Sequence, residues 1–145
     1  CIRDSLQTLY SLECACVPEA SGIYWVLRPE GMPIRFTEQA YNTSAKLYPV
    51  EMLSRKYRDC IDQEILYIGK ADGKKGLRQR LKQYMNYGWN RATNHKGGRA
   101  IWQIEDAGLL LLAFEECEDA EAREKQLLAD YKAKSGSYPL ANWRG

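Results

Sequence analysis

Apolar positions along this chain fall into a few compact runs and several helical stripes. Ile2, Leu6, Leu9 and Tyr10 recur at helical spacing behind Asp4, a residue type that caps helices, and predict a short helix over 4–12. Pro18 closes that segment. The run 22–27 (GIYWVL) is aromatic and β-branched and predicts a strand; the turn at Pro29, Glu30 and Gly31 allows 33–36 to pair back as a hairpin. Residues 37–49 are polar and irregular. Val50, Leu53, Tyr57 and Cys60/Ile61 return at helical spacing after Pro49, which suits a helix start. A second strand is predicted over 64–69 (EILYIG), then a polar turn over 72–76 (DGKKG). Leu77, Leu81 and Tyr84 share one helical face, and 86–98 reads as loop. A helix over 99–106, a buried strand over 109–115 and a helix over 119–133, with Ala122, Leu127, Leu128 and Tyr131 facing inward, complete the pattern. These elements predict an α+β fold, a small mixed or antiparallel sheet of about three strands flanked by about four helices.

With 145 residues, one domain over 1–145 is expected, large enough to bury a core without metal or disulfide. An apolar fraction of 45% and a charged fraction of 28% suit a globular protein. The longest apolar stretch, 107–114, is far below the roughly 20 residues of a membrane span, and no signal peptide is visible, so no membrane partner is expected. The five cysteines are odd in number and irregular in spacing, arguing against a disulfide framework and for a reducing, cytoplasmic setting. Only Cys14 and Cys16 are close, too few for a structural zinc site with the single histidine, His95, remote.

The formal net charge of +2 hides an uneven distribution. Residues 1–72 carry 8 basic and 10 acidic groups, and 73–145 carry 13 and 9. Eight basic residues lie between Lys74 and Arg99, a window with no Asp or Glu, while 115–121 (EECEDAE) packs five acids into seven residues. Basic residues interleaved with Tyr84, Tyr87 and Trp89 are what a surface needs to track phosphates and stack on bases, although a solvated basic face has the same composition.

Two tripeptides sharpen that picture. Gly22-Ile23-Tyr24 opens the first predicted strand and Tyr67-Ile68-Gly69 closes the second. They are followed by Lys70-Ala71, Leu77 and Arg80-Leu81-Lys82-Gln83-Tyr84, then by Glu124-x-x-Leu127-Leu128-x-x-Tyr131, and finally by Asn142. In this order the segments resemble the GIY-YIG nuclease superfamily, which includes the nuclease domain of the bacterial excision-repair incision subunit and certain homing and restriction endonucleases. The chain departs from compact members most plainly between the two tripeptides. Here 42 residues separate Tyr24 from Tyr67 where about ten are usual, so 37–63 reads as a helical insertion into a core of about 20–145.

The resemblance implies a divalent-metal-dependent endonuclease cutting DNA, with RNA not excluded, to leave a 5′-phosphate and a 3′-hydroxyl. It implies Tyr24, Tyr67, Arg80, His95 and Glu124 as catalytic residues, with Glu124 holding one Mg²⁺ or Mn²⁺. The residue types suit the task. A carboxylate is a hard oxygen ligand, and an arginine presents a planar fork to the scissile phosphate. A phenol needs a nearby cation to act as a base near neutral pH, and Lys70 is a candidate if the strand ends at Gly69. Arg78 rivals Arg80 as the phosphate clamp, because the turn before the helix is longer than in the repair enzymes. Lys70, Arg78, Lys82, Tyr84, Lys96, Arg99 and Asn142 are expected to contact nucleic acid, and Gly97-Gly98 to let backbone approach a phosphate. A monomer is favoured, with oligomeric state open. The alternative is a non-catalytic nucleic-acid-binding module that kept the fold.

Overall fold

A computed structural model describes residues 4–40, 42, 46–89 and 97–143. The elements run β1 (Asp4–Ser5), α1 (Leu6–Ser11), β2 (Gly22–Leu27), α2 (Val50–Asp59), β3 (Ile65–Ala71), α3 (Gly76–Gly88), β4 (Leu111–Glu116) and α4 (Ala120–Ser135), with 3₁₀ turns at Arg99–Gln103 and Ala107–Leu109. Four strands form one antiparallel sheet in the order β1-β4-β2-β3. The fold is therefore α+β with helices flanking an antiparallel sheet, and β1 is an addition the apolar pattern did not signal.

Residue chemistry explains most boundaries. Ser5, rather than Asp4, caps α1 by accepting from the Thr8 amide at 3.2 Å. Asp119 caps α4 by accepting from the Ala122 amide at 3.1 Å, and Gly136 ends that helix in the left-handed conformation, φ 78°. Part of the acidic run over 115–121 thus has a structural use, because Asp119 and Glu121 sit where a helix dipole favours negative charge. The loop expected from residue 86 instead continues α3 to Gly88. The hairpin expected over 33–36 does not form. Phe36 bridges Ile104, and the Thr37 amide donates to the Gln103 carbonyl at 2.7 Å, so this stretch pairs with a distant turn. The 3₁₀ geometry over 99–103 replaces the expected helix.

The sheet has two packed faces. Tyr24, Val26, Tyr67 and Ala71 belong to the larger core with Leu77, Leu81 and Tyr84 of α3. Ile23 and Ile68 pack on the other side with Ala120 and Leu128 of α4. In α4 the inward positions include Ala120, while Ala122 is exposed. A register shift opposite Val26/Leu27 leaves Leu66 as an extra residue in β3, so adjacent Leu66 and Tyr67 both join the main core. The insertion packs through Leu53 and is tied down by the buried Gln103 side chain, which accepts from the Tyr48 amide at 2.8 Å and donates to the Tyr48 and Thr37 carbonyls. No helix among the described residues is long and apolar enough to cross a membrane.

Candidate active site

The two signature tripeptides lie side by side. Antiparallel pairing of β2 with β3 sets Tyr24 directly opposite Gly69. A Cβ at Gly69 would stand 2.6 Å from Tyr24 Oη and 2.8 Å from its Cε1, so only glycine leaves room for the Tyr24 ring. At the other end of the pair, a Cβ on Gly22 would meet Leu77 Cδ1 at 2.8 Å and the Glu115 carbonyl closer still. Both glycines are thus demanded by close packing.

Tyr24, Tyr67 and Tyr84 form a triangle with ring centroids 5.9–6.2 Å apart. Tyr84 is fully buried and its hydroxyl donates to the Gly98 carbonyl at 2.7 Å, which removes it from base stacking and assigns it to the core. Gly97 and Gly98 fold over these rings. A Cβ on Gly97 would stand 2.5 Å from Tyr67 Oη, and one on Gly98 would stand 2.9 Å from Tyr84 Oη. Close approach is indeed what this glycine pair permits, here to tyrosines of the chain itself. The Tyr24 hydroxyl is fully buried; Tyr67 and Arg80 both act on it at hydrogen-bonding range, though neither meets it in full hydrogen-bond geometry.

Burial pushes all three phenols above their usual range. For both signature tyrosines burial is the largest cause, and the Arg80 guanidinium offsets it in part.

Arg80, on α3, is half-buried and makes no ion pair among the described residues. The rival Arg78 is fully engaged elsewhere. Its guanidinium donates to the Val17 carbonyl at 2.7 Å, to the Ala15 carbonyl at 3.3 Å and to Glu19 at 2.8 Å, anchoring the segment between α1 and β2. Of the two arginines, Arg80 is the one without an ion pair among the described residues, and its charge acts on Tyr24, Tyr67 and Glu124.

Glu124 lies on the sheet-facing stripe of α4, one turn from Ala120 and from Leu128. Although α3 and α4 cover opposite faces, Glu124 acts electrostatically on Tyr24 and Tyr67, and Arg80 acts on Glu124, so the four groups lie within electrostatic reach of one another. Burial raises the Glu124 carboxyl. Lys70 and Arg80 pull it down, and Asp72 and Glu121 push it up. A carboxylate in that position gains from added positive charge, so its chemistry suits a hard divalent cation held mainly by water and substrate oxygens. Among the described residues no three carboxylate, histidine or cysteine side chains gather into a metal cage.

The strand does not end at Gly69. β3 continues to Ala71, and pairing with Ile23 puts Lys70 on the α4 face, away from Tyr67. Lys70 instead pairs with Asp72 at 3.4 Å and acts on Glu124. A cleft of about 320 Å³ opens at this end of β3, lined by Lys70, Asp72, Gly76, Gln79, Arg80 and Gln83. Lys82 is exposed on the outer side of α3, beside a second cleft. Arg99 holds its guanidinium 5.8 Å above the Tyr48 ring. Asn142 is buried, and both groups of its carboxamide are spent on Ile68. The oxygen accepts from the Ile68 amide and the nitrogen donates to the Ile68 carbonyl, each at 2.9 Å. It caps the open edge of β3, with its side chain turned to backbone and not to solvent. His95 and Lys96 lie outside the described residues.

Sequence reasoning missed Lys56, whose amine reaches the same C-terminal tail from the insertion. No local pattern marks a lysine on an exposed-looking helix as a partner of backbone 84 residues away. The cysteines among the described residues are free, and Cys14 and Cys16 differ in exposure. Cys14 is buried in a turn with its thiol pushed up to about 11, and Cys16 is exposed. Comparison of the chain with protein-family models, with curated proteins and with solved structures finds no match in any of the three.

Proposed function

We propose that the chain is a divalent-metal-dependent endonuclease of the GIY-YIG type, hydrolysing phosphodiester bonds in DNA. The observation that supports this reading is that Tyr24, Tyr67, Arg80 and Glu124 lie within electrostatic reach of one another, around a fully buried phenol. In the proposed reaction Arg80 clamps the non-bridging oxygens of the scissile phosphate, where charge grows in the transition state. One of the two signature phenols, Tyr24 or Tyr67, accepts the proton of the attacking water, and Arg80 favours the ionised form of both. The other packs against it edge to face and holds its orientation. Glu124 holds the Mg²⁺ or Mn²⁺, which when bound supplies Lewis-acid stabilisation of the leaving oxygen.

The test is nicking of supercoiled plasmid and of branched DNA with Mg²⁺ or Mn²⁺. Removing one transition-state clamp costs on the order of 10²–10³ in rate, so Arg80→Ala and Glu124→Ala should each lose at least that much. Full activity in both variants overturns the site. The alternative, a binding module without catalysis, is favoured by the depth at which both phenols are buried. It predicts metal-independent, salt-sensitive binding and no cleavage on any of these substrates.

A further inference from the structure

β3 is the edge strand of the sheet, and its outer side would leave backbone groups open to water. The C-terminal tail covers it. The Ala141 amide donates to the Leu66 carbonyl at 2.9 Å, and the Asn142 carboxamide takes both backbone groups of Ile68. Among the described residues the tail has no strand partner on its far side. It is held there by Lys56, from α2 in the insertion. The ammonium donates to the carbonyls of Pro139 at 2.8 Å and Leu140 at 2.7 Å, makes a third bond to the Asn142 carbonyl, and lies 4.0 Å from the Trp143 ring centroid. Three donors on one ammonium meet three carbonyls in four residues of backbone, so this side chain is fully used. Ile68, the residue so gripped, stands between Tyr67 and Gly69, the seat of the Tyr24 ring.

We propose that Lys56 is a positioning residue for Tyr67. Helix α2 fixes the tail through Lys56, the tail fixes the Ile68 peptide through Asn142, and that peptide holds Tyr67 against Tyr24. The insertion thereby replaces the missing neighbour of the edge strand. The catalytic consequence rests on the nuclease reading. The mechanical link does not, and it is read separately.

Lys56→Met keeps the apolar stem and removes all three donors, while Lys56→Arg keeps the charge. Two measurements decide the matter. Hydrogen exchange at the Ile68 amide, together with the Tyr67 ring resonances, reports the link. Single-turnover nicking alongside DNA affinity reports its consequence. In Lys56→Met, Ile68 exchange should rise at least about tenfold as the edge opens locally, and the Tyr67 ring signals should shift. The maximal rate should fall by roughly tenfold or more, because small misplacements of a reacting group cost up to about 10². DNA affinity should stay within about twofold, since the Lys56 ammonium and the Asn142 carboxamide are both spent on the chain's own backbone. Lys56→Arg should restore part of both losses. Unchanged Ile68 exchange in Lys56→Met overturns the link. Raised exchange with an unchanged maximal rate overturns the positioning role. A wild-type protein that cuts nothing overturns the nuclease reading alone, and the exchange and ring signals then still decide whether Lys56 holds Tyr67. If Lys56→Met does not fold, Asn142→Ala cuts the same chain one link later, leaves Lys56 on the tail carbonyls, and carries the same expectations.

Discussion

Replacing Gly69 with alanine adds a single methyl under the Tyr24 ring. That carbon would stand 2.6 Å from Oη and 2.8 Å from Cε1, where unstrained carbon contacts need about 3.5–4.0 Å. The ring has no free direction in which to retreat. It is fully buried, with Tyr67 and Tyr84 at centroid distances of 5.9 and 6.2 Å. Overpacking of this kind costs about 1–3 kcal/mol. For a 145-residue chain that is a fall in Tm of roughly 3–10 °C. On an open strand the same change would stabilise by about 0.5–1 kcal/mol, because alanine loses less backbone freedom on folding. The sign of the effect is therefore diagnostic. Thermal and urea denaturation of the wild type, Gly69→Ala, Tyr24→Leu and the double variant form a cycle. Leucine ends short of the atoms that clash, so Gly69→Ala should be neutral or stabilising in that background, giving a coupling energy of at least about 1 kcal/mol. If Gly69→Ala raises Tm in both backgrounds, or lowers it equally in both, the close packing of the two tripeptides is not what requires this glycine.

Glu124→Gln should raise Tm at pH 7 and change it little near pH 4. A carboxyl raised by burial binds its proton more tightly in the folded state, so stability falls as pH climbs from the usual carboxylate value through the raised one; equal shifts at both pH values would remove the burial argument. The nicking rate should rise with pH across the neutral range without levelling below pH 9, since burial holds both phenols above their usual pKa of about 10. A rate already flat at pH 7 excludes a phenolate base. Arg78→Ala should lose about 1–3 kcal/mol of stability, as it strands the Val17 and Ala15 carbonyls, whereas Arg80→Ala should lose much less. Urea denaturation of the two variants compares them directly.

Much of the molecule follows from local sequence alone. The aromatic and β-branched runs GIYWVL and EILYIG, the stripe at Leu77, Leu81 and Tyr84, and the Asp119 and Gly136 caps determine β2, β3, α3 and α4, because strand propensity, helical period and capping are properties of neighbouring residues. The candidate residues Tyr24, Tyr67, Arg80 and Glu124 were also legible, as motif positions in a fixed order. What each side chain does was not. The continuation of β3 past Gly69 moves Lys70 to the α4 face, and a reversal of face by one residue is invisible until the strand end is known. Arg78 and Arg80 carry the same charge two residues apart, and only the chain packed beside α3 decides which one is spent on carbonyls. Asn142 and Lys56 find their partners 74 to 86 residues away. Contacts of that span depend on how the insertion and the tail meet the sheet edge, so tertiary structure alone assigns them.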